Sequence, residues 1–414
     1  MSAPHTSAPG LNPPAPPGMQ AAWVVIAAGV CAALHVGKLA PAIPALQGGL
    51  GLTLVQAGFL LSVVQGAGMA LGLLLGAWAD SLGGRRSMAL GLLLVGGSSL
   101  AGGAAQGPTA TTWLLASRVL EGLGFLMVVL PAPGLVRALV PPARTAAMLG
   151  VWGAYMPLAT ALALLLGPLA LVASGWRAWW WALGALSLLM AALLWRSVPQ
   201  RLPQAAAPGP AAPWWQRVRL TLARPGPWGV ALCFAAYSAQ WLAVVGFLPT
   251  LLTKAGVGAA LTGVLSAFVA AANIGGNLTA GRLLQRGVGA GWLLGAGFAA
   301  MALGALAAFG TTAEGARLPL ALAYGALLVF SGGGGLIPAT LFSLALRAAP
   351  GPQTVASTVG WMQQWSALGQ FGGPPLVAAV ASAVGGWQFT GWATGAMALA
   401  GALCAAWLMR QLPR

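Results

Sequence analysis

Two pairs of ionisable residues interrupt otherwise apolar stretches of this sequence. His35 and Lys38 are three residues apart in one stretch, and Arg118 and Glu121 are three residues apart in another. Residues with this spacing share one face of a helix. Because a lone charge is costly in an apolar interior, Arg118 and Glu121 are expected to pair. Glu121 is the only acid in these stretches and is therefore the predicted proton carrier.

Each pair also has a plainer interpretation. Arg118 and Glu121 would equally suit a structural ion pair that orients its helix. Lys38 either extends its ammonium group to an outer interface or attracts an anionic solute. His35 either titrates near neutral pH or acts as a hydrogen-bonded packing residue. The residue types alone do not choose between these interpretations.

Amide and tyrosine side chains elsewhere in the apolar stretches are further candidate contacts for a solute. With Lys38 and His35 they complete the predicted substrate-binding set, and they are Tyr155, Tyr237, Gln240, Asn273, Gln363 and Gln364. Any one of them would also serve to hold two helices together.

The composition excludes a water-soluble fold. Hydrophobic residues make up 59% of the 414 residues, charged residues only 5%, and the mean hydropathy is +0.85. A soluble domain carries about 25% charged residues, so this chain could not cover a water-exposed surface. The net charge of +16 reflects 19 basic against 3 acidic residues. The arginines are scattered in ones and twos, so no nucleic-acid partner is predicted.

The apolar stretches predict an all-α integral membrane protein with twelve transmembrane helices in two six-helix bundles. A membrane-crossing helix needs about 20 apolar residues, and the stretches are too long and too uniform for strands. They cover about 20–45, 53–78, 87–107, 111–139, 145–173, 176–197, 227–252, 259–281, 290–311, 318–346, 354–382 and 387–409. The predicted domains are a disordered cytoplasmic tail (1–19), an N-terminal bundle (20–198), a Pro/Ala-rich cytoplasmic linker unlikely to fold (199–225) and a C-terminal bundle (226–414).

The basic residues predict the orientation of these helices. With a cytoplasmic N-terminus, fourteen of the nineteen lysines and arginines fall in cytoplasmic loops and tails. Cytoplasmic loops are enriched in Lys and Arg. We therefore expect a multi-pass protein of the bacterial inner membrane with both termini in the cytoplasm.

A loop and a helix carry a resemblance to a known family. The run Gly76-Ala-Trp-Ala-Asp80-Ser-Leu-Gly83-Gly-Arg85-Arg86 resembles the loop signature of the major facilitator superfamily. Trp78 and Ser81 depart from that signature, and an extra glycine precedes the arginine pair. An ordinary basic turn is the plainer interpretation. Arg118-x-x-Glu121-Gly122 resembles a second pattern of the family.

The resemblance implies a secondary active transporter that works by alternating access, with Gly76, Asp80, Gly83, Arg85 and Arg86 as its gating loop. The segment 37–44 is loosely similar to the cyanate/nitroimidazole branch. We therefore expect a small organic or inorganic anion as substrate, coupled to protons.

The alternatives are a proton-driven exporter of drugs or hydrophobic compounds and a membrane sensor without transport. No nucleotide-binding lysine motif, metal cluster or nucleophile triad occurs in the sequence. We therefore predict no enzyme activity, no cofactor, no metal and a monomer.

Overall fold

The structure is a computed structural model that describes residues 17–66, 68–72, 82–141, 144, 148, 151–200, 213–310, 318–351 and 354–412. Every regular element in these ranges is helical. The α-helices are α1 (Pro17–Gly37), α2 (Leu39–Leu50), α3 (Leu54–Ser62), α4 (Gly84–Gly103), α5 (Ala110–Val129), α6 (Ala132–Leu139), α7 (Tyr155–Ser197), α8 (Trp214–Leu222), α9 (Pro225–Lys254), α10 (Ala259–Gln285), α11 (Ala290–Phe309), α12 (Leu320–Gly334), α13 (Leu336–Ala348), α14 (Val355–Ala383) and α15 (Thr390–Gln411).

Nine helical segments within the described ranges are long and apolar enough to cross a membrane. One of them, α7, has 43 residues and contains a break at Gly175, where φ is 78°, so it holds two predicted spans. Helices α4 and α14 have 20 and 29 residues and are long enough to cross, although they are less apolar. The helices are therefore consistent with the twelve predicted spans.

The helices pack as two groups. In the first, α1 and α4 both pack against α7, and α4 packs against α5; in the second, α9 packs against α14 and α15, and α11 against α15 and α12. The groups meet where α10 packs against α7, α14 against α3, and α9 against α2. The central cavity described below lies between these groups.

The outer surface of the helices is strongly apolar. Trp292 is 82% exposed, Val172 79% and Leu189 69%, and many other leucines are exposed along the spans. So much exposed apolar area is costly in water but suits hydrocarbon. The interior, by contrast, encloses charged and polar side chains.

Two helix junctions matter for the site. Lys38 lies between α1 and α2, and its backbone stays helical there, with φ of −57° and ψ of −25°. Gly83, which precedes α4, has φ of 81°. A backbone in this region is unfavourable for other residues.

The structure is helical within parts of the predicted linker and tail, and it does not describe all of the predicted gating loop. Helix α8 lies inside the linker that was expected not to fold, and it packs beside α9 and α14 with Thr221 buried while Trp214, Trp215 and Leu222 are exposed. Helix α1 begins at Pro17, within the predicted tail. Gly76 and Asp80 of the predicted gating loop lie outside the described residues.

Candidate functional site

A buried ion cluster joins the first predicted span to α5. Lys38 Nζ lies 2.5 Å from Glu121 Oε1, and Arg118 Nη1 lies 2.5 Å from Glu121 Oε2. All three side chains are completely buried. Glu121 is thus held by one cation on each carboxylate oxygen. The structure pairs Arg118 with Glu121 as predicted and adds Lys38 to the pair.

Lys38 has three acceptors for its three N–H groups. Besides Glu121, its ammonium donates to Ser99 Oγ at 2.8 Å and to His35 Nδ1 at 3.1 Å. The ring of Trp180 lies 4.6 Å from Nζ, a distance that permits a cation–π contact. The Lys38 ammonium is therefore enclosed by these partners and does not reach the outer interface or water.

The neighbours of His35 define its tautomer. An ammonium group only donates, so Nδ1 must accept from Lys38, and the ring proton of a neutral His35 lies on Nε2. Nε2 is 2.8 Å from Ser187 Oγ and donates to it. Ser187 also lies 3.5 Å from the thiol of Cys31. In this arrangement His35 is a hydrogen-bonded neighbour of Lys38, fully buried beside α7.

Arg118 is only partly satisfied. Its Nη1 donates to Glu121 and to the backbone oxygen of His35, whereas Nε and Nη2 are buried with no hydrogen-bond partner among the described residues. When Lys38 is protonated, the cluster contains two cations and one carboxylate. Its formal charge is then +1 in an interior where charge is costly.

A separate cavity lies between the two groups of helices. About 70 Å³ of it is open to a water-sized molecule. The lining comes from the start of α7 and from α9, α10, α13 and α14, and comprises Gly153, Tyr155, Met156, Pro157, Phe234, Tyr237, Ser238, Trp241, Asn273, Asn277, Pro338, Phe342, Gln363, Ser366 and Gln370. No charged side chain is among these described lining residues.

One wall of the cavity carries a hydrogen-bonded network. Asn273 Nδ2 donates to the backbone oxygen of Ser331 at 2.9 Å and lies 3.0 Å from the hydroxyl of Tyr237. Asn277 Nδ2 donates to Asn273 Oδ1 at 3.0 Å, and Trp241 Nε1 donates to Ser331 Oγ at 3.1 Å. These contacts fix the amide orientations at the cavity wall and tie α9, α10 and α12 together.

A second set of polar contacts crosses between the groups. Gln65 Nε2 donates to Gln370 Oε1 at 3.0 Å, and Gln370 in turn donates to Ser366 Oγ. Gln364 Nε2 donates to the backbone oxygen of Met69 at 2.9 Å. Helix α14 is thus bonded to the second predicted span at two depths.

The structure divides the predicted substrate-binding residues. Tyr155, Tyr237, Asn273 and Gln363 line the cavity together. The others lie elsewhere: Lys38 and His35 in the ion cluster, Gln240 buried against the backbone of Ala236, and Gln364 in a smaller aromatic cavity with Trp361 and Trp365.

Several residues of the site gave no signal in the sequence. Ser99 and Ser187 are ordinary serines in glycine- and alanine-rich helices, yet they bond Lys38 and His35. Nothing in the sequence distinguishes Gln65 from the other amide residues. Only the approach of non-neighbouring helices shows what each of these side chains contacts.

The described part of the predicted gating loop lies at the start of α4. Arg85 Nη2 donates to the backbone oxygen of Trp195 at 2.5 Å, and its guanidinium lies 4.2 Å from the Trp195 ring. Arg86 is exposed. Arg85 therefore ties the beginning of α4 to the end of α7; a gating role for this loop remains a prediction.

Replacing Asn273 by alanine is expected to lower the free energy of unfolding by about 1–3 kcal/mol, because the Ser331 carbonyl and the Asn277 amide each lose a partner in a buried wall. Denaturant unfolding of the purified protein in detergent measures this change. Asn277→Ala, which removes only the outer donor, is the matched control and should cost less. Equal losses in the two variants would contradict the central position of Asn273.

One family model matches most of the chain. The family model described as Major Facilitator Superfamily matches residues 25–374. A comparison with curated proteins finds no match.

Among solved structures, the fold is similar to a bacterial homolog of the human lysosomal transporter Spinster in an inward-facing and occupied conformation. The TM-score is 0.75 at 17% identity, over 95% of this chain and 97% of the other.

The fold is also similar to the proton:xylose symporter XylE bound to 6-bromo-6-deoxy-D-glucose. There the TM-score is 0.73 at 14% identity, over 96% of each chain. At such identities the likeness shows the fold. Since the family model covers most of the chain, this all-α, multi-pass membrane protein belongs to the Major Facilitator Superfamily of transporters.

Proposed function

We propose that this protein is a proton-coupled secondary transporter that moves a small solute across a bacterial inner membrane by alternating access. Both termini lie in the cytoplasm, and the monomer is the working unit. The two helix groups move around the central cavity, as expected of a transporter built from two halves. The observation that carries the coupling is the buried cluster of Lys38, Arg118 and Glu121.

The cluster supports coupling because a change in its charge changes the attraction between its side chains. Ionisable groups inside a membrane protein are rare and mark ion or proton pathways. Here a change of one proton alters the attraction that joins Lys38 on the first span to Glu121 on α5. The helix junction at Lys38 leads directly into α2, which contacts α9 of the other group. A protonation change is thereby connected to the interface that must open and close.

The cavity narrows the class of solute. Its described lining offers amide, hydroxyl and aromatic groups, which suit a small solute with both polar and flat apolar parts. The predicted anionic substrate depended on attraction by Lys38. In the structure, Lys38 pairs with Glu121 and lies outside this cavity. We therefore favour an uncharged or dipolar solute and keep the anion as the competing expectation.

The test begins with the purified full-length protein. A thermal-shift screen against small anions, sugars and aromatic amines identifies stabilising solutes, and counterflow in proteoliposomes then measures their exchange. An imposed inward proton gradient should increase uptake of the exchanged solute, and a protonophore should abolish that increase. Uptake that does not change with the proton gradient would contradict proton coupling. The absence of exchange for every stabilising solute would contradict transport.

Proton-driven export of hydrophobic compounds is the second candidate. It is favoured by the aromatic part of the cavity lining, in which Phe234 and Tyr237 stack with ring centroids 5.9 Å apart. This function predicts that expression raises the tolerance of cells to hydrophobic compounds. Import of a small polar solute predicts unchanged tolerance, so a growth comparison separates the two.

A further inference from the structure

We propose that Lys38, rather than Glu121, is the residue that gains and loses the coupled proton. The inference rests on the proposed function and names the residue within the same cluster that performs the coupling. It follows from the charges, contacts and burial of Lys38, Arg118, Glu121 and His35.

The net charge of the cluster favours Lys38 as the residue that changes its protonation state. Arg118 stays protonated in proteins, so it contributes a fixed positive charge. With Lys38 protonated and Glu121 ionised, the cluster carries +1. Adding a proton to Glu121 raises this to +2 with no remaining anion, whereas removing one from Lys38 leaves the neutral Arg118–Glu121 pair. In a buried site the second change is far less costly.

The contacts of Glu121 and Lys38 differ in how they respond to the loss or gain of a proton. Glu121 has a cation 2.5 Å from each oxygen, and each of these contacts favours the ionised carboxylate. Loss of a proton from Lys38 removes one charge-assisted hydrogen bond to Glu121 while Arg118 continues to neutralise it. The carboxylate therefore remains paired in both states of Lys38.

Side chains from four helices surround the Lys38 ammonium. Helix α1 contributes His35, and α5 contributes Arg118 and Glu121. The groups from α4 and α7 that reach Nζ, Ser99 and the Trp180 ring, carry no charge. Arg118 repels the ammonium and Glu121 attracts it, so the two fixed charges partly cancel at Nζ. Burial then weighs against the charged form of Lys38.

The proton balance of the step is simple. The Lys38 ammonium gives one proton to water admitted when the cluster opens toward one side of the membrane, and the nitrogen keeps the electron pair as a neutral amine. In the reverse step the amine takes one proton from water on the other side. Since Lys38 lies between α1 and α2, its loss of charge weakens the link from this span to Glu121 on α5.

The chain offers a direct spectroscopic test. Lys38 and Lys254 are the only two lysines, and Glu121 and Glu314 are the only two glutamates. Lys254 is exposed at the end of α9 and serves as an internal reference. Carbon-13 NMR of the full-length protein, labelled at the lysine ε-carbons and the glutamate carboxyls, follows both candidates as pH is varied.

The expected result is that the Lys38 ε-carbon signal changes from its ammonium to its amine position across the pH range in which a proton gradient drives uptake. The Glu121 carboxyl signal is expected to stay at its ionised position throughout. A Glu121 signal that moves to the protonated position while Lys38 stays constant would overturn the inference. Constancy of both signals would overturn it as well.

A transport arm separates this inference from the proposed function. Lys38→Met should keep counterflow but lose stimulation by a proton gradient, and Lys38→Arg should lose the stimulation too, because arginine holds its proton. Arg177→Gln, outside the cluster, should behave like the unchanged protein. If the unchanged protein is coupled and Lys38→Met is equally coupled, the inference alone fails. If the unchanged protein shows no coupling, the proposed function fails and the inference fails with it.

Discussion

Replacing Glu121 by glutamine is expected to lower the free energy of unfolding by about 3–5 kcal/mol, the usual cost of removing one partner from a buried ion pair. The variant leaves Lys38 and Arg118 buried together without an anion, although each approached a carboxylate oxygen within 2.5 Å. Unfolding of the purified protein by denaturant in detergent, followed by circular dichroism, measures the change.

A double variant shows whether the loss comes from unpaired charge. Lys38→Met combined with Glu121→Gln leaves one buried cation instead of two, so the double variant should be more stable than Glu121→Gln alone. Arg177→Gln removes a charge whose Nη2 donates to the backbone of Ala105 at 3.1 Å outside the cluster, and it should cost less. A double variant less stable than the single one would refute the charge explanation.

Replacing Gly58 by leucine is expected to reduce transport by about tenfold or more. A Cβ atom at Gly58 would lie 3.1 Å from the Pro375 Cα and 3.3 Å from the Pro374 carbonyl carbon, both backbone atoms of α14. Overpacking of this kind costs about 1–3 kcal/mol, and 1.4 kcal/mol changes a population tenfold. This energetic cost destabilises the conformation in which α3 and α14 are in contact.

The measurement is counterflow in proteoliposomes together with thiol labelling of a cysteine introduced at Phe371, whose ring lies 6.3 Å from that of Phe59 across the same contact. Labelling should increase in the Gly58→Leu background. Gly49→Leu is the matched control, because a Cβ atom at Gly49 meets nothing within 4 Å. Unchanged counterflow in Gly58→Leu would show that this contact does not close during transport.

The sequence was a good guide wherever a property depends on one helix at a time. Length and apolarity predicted membrane-spanning helices, and the break in α7 at Gly175 lies between two of the predicted stretches. The three-residue spacing of Arg118 and Glu121 was enough to predict their pairing. The family resemblance, which the match over residues 25–374 confirms, also came from short local runs.

The partners of Lys38 could not be predicted from spacing along a single helix. Glu121 is 83 residues away in the chain and Ser99 is 61 residues away, so nothing local relates them. The same holds for Gln65 and Gln370, which are 305 residues apart and bond across the two helix groups.

By itself, the sequence determined that this protein spans a membrane and that its fold is helical. It also identified the few ionisable residues in apolar stretches that must find partners. Those conclusions follow from the cost of leaving polar groups in hydrocarbon, which applies to each segment separately. Only the tertiary structure decided which partners they find. It placed Lys38 against Glu121 and left the central cavity lined by amides and aromatic rings, because packing of distant helices, rather than spacing along one helix, brings these side chains together.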